Sequence, residues 1–162
     1  MEIDWNVVAT GIVAPVAAVL LKTLLDFSLA RGLVKYLGYI PFRGIFRDKP
    51  PKLAGTWIHV WGSAGSSNFA CPTTRTQKTK LRQFGRFVYG EFTVKGVKYN
   101  LLGKIQAGYL MGDWKDADDD LAYFGSFQLR ILDGNTMSGK YVGHSKIKAV
   151  VQEDDWSWRR ST

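Results

Sequence analysis

The chain has 162 residues, with 22 Lys and Arg against 14 Asp and Glu, a formal net charge of +8, and a single cysteine, Cys71. One cysteine cannot staple a secreted fold internally, and the length leaves room for one globular domain beside an anchor. Residues 1–52 carry +3 (seven basic against four acidic) and residues 53–162 carry +5 (fifteen against ten), so both parts suit anionic surroundings, either a lipid leaflet or a phosphate-bearing ligand.

The stretch Trp5 to Leu25, WNVVATGIVAPVAAVLLKTLL, holds no charge between Asp4 and Lys22. A bilayer core of about 30 Å requires roughly 20 apolar residues, and this run reaches that length with the Lys22 ammonium snorkelling into the headgroups. The expectation is one transmembrane helix, with a buried core helix as the alternative. A cleaved signal peptide is disfavoured, because Glu2 and Asp4 precede the run and the basic residues follow it. Lys22, Arg31, Lys35, Arg43, Arg47, Lys49 and Lys52 place the C-terminal side in the cytoplasm by the positive-inside rule, giving a single-pass protein with Met1 outside.

From Asp26 to Phe46 apolar and basic residues mix. Arg31 and Lys35 argue against a second span over residues 27–46, since each charge at a helix centre costs about 3 kcal/mol on insertion scales. The helix is expected to continue to about Leu37 and settle at the interface. Pro50 and Pro51 then end any helix and mark the boundary between an anchor and basic linker, residues 1–52, and a barrel domain, residues 53–162.

Beyond Leu53 the apolar period falls to two and glycine becomes frequent. Strands are expected over Leu53–Trp61, Thr76–Phe84, Arg86–Lys95, Lys98–Gln106, Tyr109–Trp114, Ala122–Leu132, Thr136–Ser145 and Asp155–Arg160, with turns at Gly96 and Gly108 and positive φ angles at Asp133, Gly134 and Asn135. Eight short strands and no later helix pattern predict an all-β fold, a small up-and-down barrel of about eight antiparallel strands enclosing one small-ligand cavity. Gly90, Gly103, Gly125, Gly139 and Gly143 would permit its bends. An incomplete barrel or sandwich is the alternative.

Catalytic constellations are weak, so no enzyme, metal or cofactor is expected. His59 and His144 lack zinc-ligand spacing, Ser63, Ser66 and Ser67 lack a paired base, and Asp116, Asp118, Asp119 and Asp120 read as a solvated turn without the EF-hand pattern. Aromatic residues alternating with basic ones are more informative, because rings stack on bases and cations pair with phosphate. Tyr89, Tyr99, Lys104, Gln128, Arg130 and Tyr141 are the candidate ligand-binding residues, with Trp114, Lys140, Trp156 and Arg159 behind them. Lys104, Gln128 and Arg130 are expected to point inward, sharing a face with Leu102, Phe124 or Ser126.

Gly55-Thr56-Trp57 opening the first strand, with Trp156, Trp158 and Arg159 in the last, is similar to the way lipocalin-like barrels pack a Trp against a basic residue from the final strand. The whole arrangement, an apolar N-terminus, a basic exit and a barrel carrying FGSFQLRILDGNTMSGKYVGHS followed by WSWRR, resembles the membrane-anchored β-barrel effectors of bacterial cyclic-oligonucleotide anti-phage systems, the CD-NTase-associated TM-β family. That resemblance implies a barrel that senses a cyclic di- or oligonucleotide and controls homo-oligomerisation of the membrane helix, which then disrupts the inner membrane; no DNA or RNA polymer is implied. Whether the ligand activates or restrains stays open. A lipocalin-like barrel binding a lipid or other apolar molecule, and a filled scaffold without a ligand, are the rival readings.

Overall fold

The structure is a computed structural model that describes residues 15–16, 19, 30–39, 50–62, 72–119, 121–145 and 150–161. The chain divides into two compact units, Met1–Leu33 and Val34–Thr162. In the first, Pro15, Val16 and Val19 are helical and exposed; the rest of the expected membrane helix, Trp5 to Leu25, lies outside the described residues, as do residues 27–29 and 40–46. No helix among the described residues is long and apolar enough to cross a membrane.

The described helix, α1 (Ala30–Leu37), ends where expected. Its final turn belongs to the second unit and lies on the barrel wall: Val34 is buried, Lys35 Nζ donates to Glu91 Oε1 at 2.8 Å, and Arg82 Nη1 reaches the Lys35 carbonyl at 3.4 Å.

Eight antiparallel strands close into a barrel in sequence order: β1 (Gly55–Trp61), β2 (Thr76–Phe84), β3 (Phe87–Val94), β4 (Val97–Gln106), β5 (Tyr109–Asp116), β6 (Tyr123–Ile131), β7 (Thr136–Ser145) and β8 (Val150–Arg160), with β8 returning to β1. Closure removes the unpaired edges that a flat sheet of these strands would expose. All eight expected strands are present. The last begins at Val150 rather than Asp155: the charged run Gln152 to Asp155 reads as loop, yet pairs with Lys140, Tyr141, Val142 and Gly143 because barrel closure extends the ladder to the rim.

Two-residue hairpins at Lys95-Gly96 (φ 49° and 83°) and Ala107-Gly108 (φ 48° and 81°) fix the β3–β4 and β4–β5 registers. The β6–β7 turn differs from expectation. Asp133, Gly134 and Asn135 are absent from the positive-φ residues; instead Asp133 Oδ1 accepts the Asn135 N–H at 2.6 Å, so a carboxylate shapes the loop.

One end of the barrel is filled. Leu53, Trp57, Leu81, Val88, Leu101, Ile105, Leu110, Leu129 and Met137 form a buried cluster, and each such side chain contributes about 1.5–3 kcal/mol of burial free energy. Here the turns are short, and the incoming chain is tied down. Buried Gln83 uses both ends of its amide, accepting from Leu53 N (2.8 Å) and Ala54 N (3.3 Å) and donating to the Pro51 (3.0 Å) and Gly85 (2.9 Å) carbonyls. Trp57 Nε1 donates to the Leu53 carbonyl at 2.8 Å, with the Arg160 guanidinium 4.6 Å above the ring. The cation on the β1 tryptophan is thus Arg160 and not Arg159, which is exposed: β8 side chains alternate, and Arg160 shares the parity of inward Trp156 and Trp158. Gly55 accommodates this, because at φ 137° it has no side chain and a Cβ there would fall 2.5 Å from Arg160 Nη1.

Candidate ligand-binding site

The opposite end is aromatic, and the inward parity of six strands brings the rings together. Trp61 (β1), Phe92 (β3), Tyr99 (β4), Trp114 (β5), Tyr141 (β7) and Trp156 (β8) follow one another around the interior. Ring centroids lie 6.4 Å apart for Trp61–Phe92, 5.5 Å for Phe92–Tyr99, 5.9 Å for Tyr99–Trp114, 6.3 Å for Trp114–Tyr141 and 5.8 Å for Tyr141–Trp156, and Trp156 closes the belt onto Phe92 at 6.3 Å. The contacts are mostly edge-to-face or tilted, each worth about 0.5–1.5 kcal/mol beyond area burial. Trp61, Phe92, Tyr99, Trp114 and Tyr141 are half-buried, whereas the cluster beneath them is sealed.

Paired glycines make room for the belt. Gly125 faces Gly143 across β6–β7, and Cβ atoms there would each fall 2.8 Å from the Trp114 indole. Alanine at Gly143 would drive that ring towards the axis, whereas at Gly125 the added Cβ would first meet the Val142 backbone carbonyl.

His59 sits beneath the belt, fully buried and stacked on Trp158 at 4.1 Å. Its Nδ1 takes the indole N–H of Trp156 at 3.0 Å, and Nε2 lies 2.8 Å from Thr79 Oγ1. An indole nitrogen only donates, so Nδ1 carries no proton and the neutral ring donates from Nε2 to Thr79. Burial lowers the His59 pKa to about 3, which keeps the ring neutral.

The rim hydroxyls are neutral as well. Burial, reinforced by the charges of Asp116 and Tyr123, pushes Tyr99 up to about 12. Burial and Asp154 raise Tyr141 to about 12 against an opposing effect of Arg75, and the Tyr141 hydroxyl donates to the Gly62 carbonyl at 3.4 Å. Asp116 is occupied locally, its Oδ1 accepting the N–H groups of Asp118 (2.9 Å) and Asp119 (3.3 Å), so the acidic loop is a carboxylate-capped turn. The site therefore offers π faces, the neutral Tyr99 hydroxyl as a donor and the Tyr141 oxygen as an acceptor. No group of three metal-ligating side chains occurs among the described residues.

No family model matches the chain, and no curated protein does. Among solved structures it is similar to EF1p2_mFAP2b bound to DFHBI, at 11% identity over 67% of this chain and 94% of that one, with a TM-score of 0.46. Likeness at that level carries no functional argument.

Of the six residues expected to bind ligand, the structure brings Tyr99 and Tyr141 into the belt and places the other four outside the barrel. Lys104, Gln128 and Arg130 are exposed on the outer wall. They do share a face with Leu102, Phe124 and Ser126, but Leu101, Gly103 and Ile105 on β4 and Phe127, Leu129 and Ile131 on β6 form the more apolar parity, and that set turns inward. Tyr89 is buried, yet on the outer wall, where its hydroxyl donates to Glu91 Oε1 at 2.7 Å beside the end of α1. Of the secondary candidates, Trp114 and Trp156 join the belt, while Lys140 and Arg159 face outward. Sequence reasoning missed His59, Trp61 and Phe92. The signal for them was parity: Trp57, His59 and Trp61 alternate, as do Val88, Gly90 and Phe92.

Proposed function

We propose that this chain is a membrane-anchored ligand sensor whose aromatic barrel end takes the base of a cyclic di- or oligonucleotide. The observation that carries this reading is the belt of six rings, five of them half-buried at the barrel mouth, closed by the Phe92–Trp156 contact above a sealed core. Base–aromatic stacking contributes about 1–3 kcal/mol per base, the neutral Tyr99 hydroxyl can donate to a base acceptor, and the Tyr141 oxygen, whose proton goes to Gly62, can accept from a base amino group. Arg75, Lys95, Lys98 and Lys115 lie at the same end of the strands, where phosphates left outside the belt would meet them. Residues 5–25 form the anchor in this reading, and ligand binding controls their self-association in the membrane, an anti-phage effector activity. A ligand shifts such an equilibrium only by its differential affinity for the two states, and confinement to a bilayer raises the effective protomer concentration.

The second reading is an apolar ligand such as a fatty acid, favoured by the apolar floor of Leu101 and Phe127 beneath the belt. Thermal-shift screening of the detergent-solubilised full chain separates the two. The nucleotide reading expects stabilisation by a cyclic di- or oligonucleotide and none by fatty acids; stabilisation by fatty acids alone rejects it.

A further inference from the structure

The outer wall made by β2, β3 and β4 carries nearly one sign of charge. Lys78, Lys80 and Arg82 alternate outward on β2, and Lys98 and Lys104 do so on β4. Glu91 is the only acid on that wall among the described strand residues, and Lys35 and Lys98 already flank it at 2.8 and 3.8 Å. The far wall is mixed, with Arg130, Lys140 and Arg159 interspersed with Glu153 and Asp155.

Aromatic rings lie among these cations. Tyr39 is 63% exposed, with Lys80 Nζ 5.8 Å and the Arg82 guanidinium 5.2 Å from its ring. Phe87 is 38% exposed beside Lys104 at 5.8 Å, and Tyr36, on the last turn of α1, is 74% exposed. Exposed rings among flexible cations suit a headgroup layer, where the amphipathic ring sits at the interface and the ammonium or guanidinium meets phosphate.

We infer that the β2–β4 wall rests on an anionic lipid surface. The inference relies on residues 5–25 spanning the membrane. Eight residues separate Leu25 from Val34, which is seated on this wall, and the nine steps from one to the other reach at most about 30 Å. The wall is thereby tethered near the bilayer. This favours lipid over a nucleic-acid polymer as the source of phosphate.

The test uses the full chain in nanodiscs of phosphatidylcholine alone or mixed with phosphatidylglycerol, reading lysine acylation rates by mass spectrometry. At 0.1 M salt, Lys78, Lys80 and Lys104 should react about threefold or more slowly in the anionic discs, and 1 M salt should abolish the difference. Lys140, on the far wall, should not change. Substituting Lys78→Glu and Lys80→Glu together should restore the rate at Lys104. Equal rates in both disc types, with the chain resistant to carbonate extraction, overturn the inference while leaving the anchor intact. Extraction by carbonate overturns the anchor instead; the same rates are then read with added vesicles, where protection by anionic vesicles alone upholds the wall and its absence rejects it. Stronger protection by duplex DNA at equal phosphate assigns the wall to a polymer and rejects the lipid.

Discussion

Arg160 and Trp57 lock the first strand to the last: the guanidinium stacks 4.6 Å over the indole while donating to the carbonyls of Ala54 (2.9 Å), Lys52 (2.7 Å) and Gly134 (3.0 Å). One planar cation thus fastens the incoming linker, the β6–β7 loop and the barrel seam. Arg160→Lys keeps the charge but loses the fork, so it should destabilise by about 2 kcal/mol, and Arg160→Ala by about 3 kcal/mol. Gly55→Ala should be comparably harmful through its positive φ and the approach of Arg160. Urea midpoints at constant slope would measure all three; a loss below about 0.5 kcal/mol in Arg160→Ala would refute the role.

His59 makes stability depend on pH. Its folded pKa of about 3 lies below its ordinary 6.5, so between those values the unfolded chain binds a proton that the folded chain refuses. This contribution is complete above pH 6.5 and declines as pH falls, by about 1.4 kcal/mol per unit, or about 2 kcal/mol by pH 5. His59→Phe should flatten the dependence. It should also lower stability at pH 7 by about 2–3 kcal/mol, since Trp156 Nε1 and Thr79 Oγ1 lose their buried partner. Equal pH slopes in the two proteins between 5 and 6.5 would contradict the assignment.

The Lys35–Glu91 contact holds the last turn of α1 to the wall. Burial alone would raise the Glu91 carboxyl, but hydrogen bonds from Lys35 and Tyr89 and the charges of Lys35 and Lys98 outweigh it and hold the pKa below the ordinary value. The stabilisation is therefore present above the ordinary carboxylate range and lost as pH falls through the depressed value. Both groups are partly exposed, so Glu91→Gln should cost under about 1 kcal/mol globally. Its sharper readout is hydrogen exchange, which should accelerate at Val34–Leu37 and not in the β4–β5 ladder.

Ligand affinity should follow the belt and not the outer wall. Trp61→Ala and Tyr99→Ala should each weaken a stacking ligand by about 1–3 kcal/mol, roughly 5- to 150-fold. Lys104→Ala, Gln128→Ala and Arg130→Ala should leave affinity within about twofold, because solvent-facing groups away from the mouth make no contact with a ligand inside the barrel and act only through screened charge. Titration of a thermal-shift hit against all five variants tests this, and the opposite pattern would move the site outside.

Alternation and turn residues were enough to read eight antiparallel strands and a closed barrel, because a period of two and the Gly96 and Gly108 hairpins are local properties of the chain. They also placed Tyr99 and Tyr141 among the candidates. Which parity faced inward was harder on strands with apolar residues on both faces: Tyr89 and Leu102 compete with Val88 and Leu101, and closure settles the choice by the volume that can be packed around the axis. The His59–Trp156 bond spans 97 positions, and the belt draws one ring from each of six strands, so neither existed as a pattern in any short window. Local sequence determined the strands and their turns; only tertiary closure decided which rings met, because that depends on shared interior space.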